Sequence, residues 1–343
     1  MRSVLSAVAS RDGGVKRLGN SRAWFRAALI VVLFASVGLF MAGTWHWPLV
    51  GDASLMQYAV LLMRHGMTPY RDIVDVNMPG SYAVAWFIMH AFGEGAVALR
   101  LFDFALLFVG GAAMMAIALP YDWLAGLFAA ALLMLIHGRD GIAQTAQRDM
   151  VMAVLLLAAY ACVFYALRKD DQSQNDPARC KTLSGNRSWA MLAAFAFAGF
   201  CAGAAITIKP TTVPMGLALL AMAAFTLRGR SRPWRIYLHS GVLGLFVPPA
   251  IMLAFLARKH ALMPFIESLR GIVSYHAQMH RLPASYFLGH GIPPALRLLA
   301  FVWLAMVVFR KLSEREAGRN IWKVESWEGP ALFVGFALGF LSL

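Results

Sequence analysis

Charge is scarce in this sequence. Charged residues fill 14% of its 343 positions, where a soluble domain carries about a quarter. That deficit excludes an ordinary water-facing globule. Acids are the scarcer sign: 17 Asp and Glu stand against 31 Lys and Arg, a formal net charge of +14. Cysteine is scarce too. The three present, Cys162, Cys180 and Cys201, have no C-x-x-C spacing, so they form neither a disulfide framework nor a zinc site. The chain has no Walker loop, no G-x-G-x-x-G and no H-E-x-x-H. No internal repeat stands out, which argues against an inverted-repeat transporter.

What is abundant is apolar residues. They make up 60% of the chain, mean hydropathy is +0.63, and they come in long runs. Runs of about 20 apolar residues match a bilayer core. Backbone groups in lipid must bond internally, so such runs have to be helices; barrel strands would alternate apolar and polar residues, and these do not. The cations cluster in short loops between the runs. Their excess therefore reads as topology, with Lys and Arg kept on the cytoplasmic side, and nucleic acid is not an expected partner. The 19 methionines are scattered through apolar stretches and read as packing.

The fold expected is an all-α polytopic membrane protein of about nine transmembrane helices, one domain over 1–343. Residues 1–26, rich in Arg and Lys, form a cytoplasmic N-terminus. The first helix, 27–44, has no small-x-small cleavage site after it and reads as uncleaved. A long outer loop, 45–80, follows, with an amphipathic helix over 53–63 lying on the membrane surface. The stretch 81–92 is a short apolar arm. Helices over 96–119, 123–136, 150–167, 189–208, 211–227 and 236–256 then cross in alternation, with an outer loop at 138–148. The polar stretch 168–188 reads as a cytoplasmic loop. An outer segment (258–290), a helix (292–309) and a charged cytoplasmic loop (310–329) complete the path. The last 14 residues, 330–343, read as an incomplete helix.

The first outer loop carries the densest chemical signal. It reads Gly51-Asp52-Ala53-Ser54-Leu55-Met56-Gln57-Tyr58, then Gly66-Met67-Thr68-Pro69-Tyr70-Arg71-Asp72-Ile73-Val74-Asp75-Val76-Asn77-Met78-Pro79-Gly80. An acid at the water–lipid boundary is partly desolvated, which suits a general base; Asp52 equally fits the first residue, or cap, of a surface helix. Arg100 and Asp103, three apart on one apolar helix, read as partners of each other. His276 and His280 would share a helical face, as metal ligands can, although only Glu267 could complete the set.

The loop resembles the first periplasmic loop of the GT-C membrane glycosyltransferases. That superfamily includes protein O-mannosyltransferases, the lipid A aminoarabinose transferase and the Rgt-type galacturonosyltransferases. The resemblance rests on Asp52, Tyr58, Gly66, Pro69, Tyr70, Asp72, Pro79 and Gly80, followed by Ala98-Leu99-Arg100-Leu101, by Arg148-Asp149 before a Leu-rich helix ending at Tyr160, and by Lys209-Pro210. It runs over about 25–230. A single Asp stands at position 52 where many members have two adjacent acids.

The resemblance implies an inverting transfer of sugar from a polyprenyl-phosphate donor to a glycan, lipid or protein acceptor. The enzyme would sit in the inner membrane, with its N-terminus cytoplasmic and its site on the outer face. Asp52 is the implied catalytic base. Asp149 is expected to orient the acceptor, support the base or hold a divalent metal, with a helix N-cap as the plainer alternative. Lys209, Arg71 and Arg64 are candidates to neutralise the departing phosphate; Tyr58, Tyr70 and Asp72 complete the substrate-binding set. Lys209 could instead snorkel to the interface, and Arg71 could pair with Asp75 if that stretch is helical. The rival reading is a transporter or lipid flippase, which would place its ionisable groups near the bilayer midplane. A non-catalytic membrane scaffold is the other.

Overall fold

The structure, a computed structural model, describes residues 2–175, 177–228 and 234–278, and the side-chain surroundings of 23–139, 141–169, 189–228 and 234–271. The expected helices 292–309 and 330–343, the loop 310–329 and the side chains of His276 and His280 lie outside the described residues.

Among the described residues ten α-helices follow one another: α1 (Arg2–Thr44), α2 (Gly51–Arg64), α3 (Pro79–Ala91), α4 (Gly95–Ala118), α5 (Trp123–Asp140), α6 (Arg148–Asn175), α7 (Pro177–Ile208), α8 (Val213–Arg228), α9 (Trp234–Arg258) and α10 (Leu262–Gln278). Among the described residues there is no strand, only an isolated bridge between Pro69 and Ile73. Local chemistry sets several boundaries. Pro79 opens α3, where its missing N–H would be unpaired in any case. The Asp122 carboxylate accepts from the Leu124 N–H at 2.9 Å and caps α5. Gly141 ends α5 with φ +86°, a backbone that only glycine adopts freely.

Six helical segments are long and apolar enough to cross a membrane: Ala23–Thr44, Gly95–Ala118, Arg148–Lys169, Trp189–Ile208, Pro210–Arg228 and Trp234–Arg258. They make the chain an integral membrane protein. Trp123–Arg139 is apolar but shorter. Phe225, Leu243 and Phe246 are all more than 60% exposed on these spans, as lipid-facing side chains would be.

Helix extends beyond the apolar runs in two places. The N-terminal stretch before the first run is helical, since α1 begins at Arg2. The polar stretch 168–188 is also largely helical, as α6 runs to Asn175 and α7 starts at Pro177. Apolar runs mark only the part of a helix that meets lipid; helical hydrogen bonds continue without apolar side chains.

The bundle is held most tightly between α7 and α9. A Cβ on Gly199 would come within 1.9 Å of the Gly241 carbonyl oxygen, and one on Gly244 within 2.1 Å of the Ala196 carbonyl oxygen. Small residues let membrane helices approach this closely. Phe164, Phe195, Leu219 and Leu227, all fully buried, fill the space between α6, α7 and α8.

A second interior feature ties four elements at one end of the bundle. Arg100 and Asp103, an i,i+3 pair on α4, are fully buried and ion-paired, as the sequence suggests. Arg100 also donates to the Thr44 hydroxyl at the end of α1. Asp103 bonds His137 of α5 at 2.9 Å and accepts from the Ala146 N–H at 2.7 Å. The guanidinium lies 4.2 Å from the Phe104 ring centre and 4.7 Å from that of Trp47. At the other end of α4, Arg168 donates to the Ala116 and Ile117 carbonyls at 2.8 and 2.7 Å.

Candidate functional site

The end of the bundle tied by Arg100 and Asp103 also carries α2, the 65–78 loop and the start of α3. It gathers the beginnings of α4 and α6 and the end of α7. A cleft of about 480 Å³, including its open mouth, lies between these elements. Its apolar wall is Met56, Val84, Ala85, Ile88 and Leu99; its polar groups are Asp52, Gln57, Ser81, Gln147 and Arg148.

Asp52 lies in the first turn of α2. The capping position belongs to Val50, which makes no side-chain cap, so Asp52 is not the helix cap. Its side chain is 53% exposed and faces Arg148, with Nη2 to Oδ2 at 3.5 Å. Asp149 follows directly, inside the first turn of α6 rather than before it. Lys209 caps the turn after α7 and places Nζ 3.3 Å from the Asp149 carboxylate. Asp52, Arg148, Asp149 and Lys209 thus form a row of alternating charge, all partly open to solvent. Exposed ion pairs contribute about 0–1 kcal/mol to stability, so the row is not explained as a folding device.

The other candidate residues lie apart from this row. Arg64 is ion-paired with Glu94, just before α4. Tyr58, on α2, is 58% exposed and outside the cleft lining. Arg71 does not pair with Asp75, because residues 66–78 are not helical. It grips its neighbour Asp72 with two hydrogen bonds, at 2.8 and 3.0 Å, and donates to the Lys259 carbonyl at 3.2 Å.

These contacts build a knotted loop. Asp72 also accepts from the Thr68 N–H at 2.8 Å. The bonded Arg71 guanidinium, and next the Thr68 N–H, pull the Asp72 pKa down to about 2. Tyr70 adopts φ +68° and is buried against Tyr82 and Phe265. Its hydroxyl donates to the Asn77 carbonyl. Burial first, then the charge of Asp75, pushes its pKa well above the usual phenol range. Asp75 accepts from the Tyr82 hydroxyl at 2.6 Å and from the side chain of Asn77 at 2.8 Å. Gly80 completes the fit: a Cβ there would come within 2.5 Å of the Thr207 hydroxyl and 2.7 Å of its carbonyl oxygen. Tyr70, Asp72 and the Pro79-Gly80 pair therefore seat the loop and α3 against α7, α9 and α10.

The sequence does not single out Ser81, Gln57 or Gln147, and it gives Arg148 no role beyond its dipeptide with Asp149. The one available signal for Arg148 is a cation directly before an apolar run at the same end as Asp52. Gln57 is spent on the Gly95 backbone, accepting from its N–H at 3.1 Å. Among the described residues, no group of three or more His, Cys, Asp or Glu is placed to hold a metal ion.

Comparison with family models, with curated proteins and with solved structures finds no match to this chain.

Proposed function

We propose that this chain is a membrane glycosyltransferase. It moves a sugar from a polyprenyl-phosphate donor to an acceptor hydroxyl of a glycan, lipid or protein at the membrane face that bears the cleft. The reading places that face on the outer side of an inner membrane. The observation that carries it is the facing of Asp52 and Arg148, 3.5 Å apart, on an apolar-walled cleft. An apolar wall beside a charged rim suits a ligand with a lipid tail and a phosphate head.

In the proposed reaction the acceptor oxygen forms a bond to the anomeric carbon. The bond from that carbon to the phosphate oxygen breaks, and its electron pair leaves with the polyprenyl phosphate. Asp52 takes the acceptor's proton and returns it to water. Arg148 receives the phosphate charge, with Lys209 behind Asp149 as the next cation in the row. Arrival of the phosphate draws Arg148 away from Asp52 and frees the carboxylate to act as a base. Arg64 and Arg71, already paired with Glu94 and Asp72, hold the loop in place in this scheme.

Asp52→Asn tests it. The full chain in nanodiscs, offered a panel of polyprenyl-phosphate sugars and acceptors, is expected to lose about 10²- to 10⁴-fold in transfer rate, the scale of general-base catalysis. An undiminished rate removes Asp52 from its role. Wild-type protein that transfers no sugar from any donor sinks the enzyme reading.

The transporter or flippase reading draws on the buried Arg100–Asp103–His137 cluster. Both Asp103 oxygens are already bonded, however, and Arg100 and Asp103 both lie in the first half of α4, toward its Gly95 end. Movement of intact donor across a proteoliposome membrane, without cleavage, would favour it.

A further inference from the structure

The cleft holds one polar group that the fold does not use. Ser81 is 4% exposed and its Oγ has no hydrogen-bond partner. It lines the same cleft as Asp52 and Arg148. A buried hydroxyl left unbonded is unfavourable, and native structures rarely keep one without reason.

The nearby polar groups have partners of their own. The Gln57 amide bonds both the N–H and the carbonyl of Gly95. The Asn77 carbonyl takes the Tyr70 hydroxyl, and the Met78 carbonyl takes the backbone N–H of Ser81 itself. The Thr207 hydroxyl, across the helix contact, donates back to Ala204. Ser81 cannot withdraw from its place, because Gly80 beside it lies hard against the Thr207 backbone. Ser81 lines the cleft beside Val84, Ala85 and Ile88, so a ligand oxygen that reached its hydroxyl would meet a group with no competing partner.

We infer that the Ser81 hydroxyl is a ligand contact of the cleft, hydrogen-bonding a hydroxyl or phosphoryl oxygen of the molecule seated beside Asp52 and Arg148. The inference deepens the glycosyl-transfer reading by naming a positioning residue for the sugar-phosphate. Its test can fail or succeed separately from that reading.

The experiment uses the full chain in nanodiscs with Cys162, Cys180 and Cys201 replaced by alanine and Ser81→Cys introduced. At a position only 4% exposed, the new thiol is expected to react slowly with a small water-soluble thiol reagent. Three probes are then offered for protection: an undecaprenyl-phosphate-linked hexose, undecaprenyl phosphate alone, and an alkyl glucoside without phosphate. Protection by both phosphate probes assigns a phosphoryl oxygen; protection by the two sugar probes assigns a sugar hydroxyl. A thiol that does not react, or that no probe protects, overturns the inference.

Ser81→Ala supplies the energetic arm. It should bind the protecting probe about 3- to 10-fold more weakly, the scale of one neutral hydrogen bond, with an unfolding midpoint no lower than wild type. Ser81→Thr should restore most of the affinity. Equal affinity of wild type and Ser81→Ala for every probe would also overturn the inference. Protection without any sugar transfer by the wild type would keep Ser81 as a ligand contact and sink only the enzyme reading.

Discussion

Asp103→Leu should be among the most damaging single changes in the protein, and the structure sets its scale. The carboxylate is fully buried and meets three partners: the Arg100 guanidinium, the His137 ring at 2.9 Å and the Ala146 N–H at 2.7 Å. Leucine keeps the branched shape, with larger methyl ends, but removes every acceptor. It leaves a buried guanidinium with no counter-charge, which by itself costs about 3–5 kcal/mol. Stacking of Arg100 on Phe104 and Trp47 recovers only part of that. The partner variant separates charge from packing. Arg100→Met with Asp103→Leu removes both ions, so most of the loss should return, leaving about 1–3 kcal/mol for the orphaned Ala146 N–H. The assay is reversible unfolding in mixed micelles, followed by far-UV circular dichroism, of wild type, the single variant and the double. A loss below about 1 kcal/mol in Asp103→Leu would refute the reasoning, and so would a double variant no more stable than the single. A functional readout goes further. Ala146 leads into Arg148 two residues on, so under the proposed function both variants should lose sugar transfer even where the double regains stability.

Two more outcomes follow from the loop and the spans. The Asp72 carboxyl titrates at about 2, below its ordinary value of 3.8, because of Arg71 and the Thr68 N–H. Its contribution to the loop is thus present above pH 3.8 and lost as pH falls from 3.8 through about 2. Proteolysis by an acid protease between residues 66 and 78 should rise across that window in wild type and be already high, without the acid step, in Asp72→Asn; an unchanged wild-type profile would disprove the link. For topology, cysteines at Val74, 97% exposed at the loop tip, and at Lys169, exposed at the far end of α6, should be labelled from opposite sides of a sealed vesicle. Labelling of both from one side would break the span order.

The spans were legible because an apolar run is a solvent-matching signal with a length. The expected 96–119 and 236–256 sit within a residue or two of Gly95–Ala118 and Trp234–Arg258. The helical backbone beyond those runs, in α1 before Ala23 and along α6 after Lys169, was not legible, because hydropathy reports the surroundings of a helix and not its hydrogen bonds. The short arm expected at 81–92 and the surface helix expected at 53–63 are α3 and α2, each begun two residues earlier. Pro79 accounts for the first of these starts.

The candidate site was legible only where scarcity made a residue conspicuous. Asp52, Asp149 and Lys209 stand at the ends of apolar runs in a chain with few charges; the fold pairs Asp52 with Arg148 and Lys209 with the adjacent Asp149. Arg64 and Arg71 were equally conspicuous, but pairing is a property of distance in space. Glu94 is 30 residues from Arg64, and Arg71 pairs with its neighbour Asp72 rather than with Asp75, because the loop is not helical. Ser81 carried no signal at all. A serine after Pro-Gly reads as turn chemistry, and only three-dimensional packing leaves its hydroxyl without a partner.

Two of the Arg–Asp pairs at this end of the bundle show why exposure matters to the proposed chemistry. Arg100 and Asp103 are wholly buried, so separating them would strand a charge in a low-dielectric interior; they are suited to permanence. Arg148 and Asp52 are 38% and 53% exposed and meet at 3.5 Å, longer than a strong charge-assisted hydrogen bond. Water already competes for both, and such a pair is worth about 0–1 kcal/mol. An entering phosphate can therefore take Arg148 at little cost and leave Asp52 without its cation. A base held by a buried partner could not be released in that way, so a cleft that must admit a charged lipid head and then expose a carboxylate needs its ion pair at the open rim, where Asp52 and Arg148 stand.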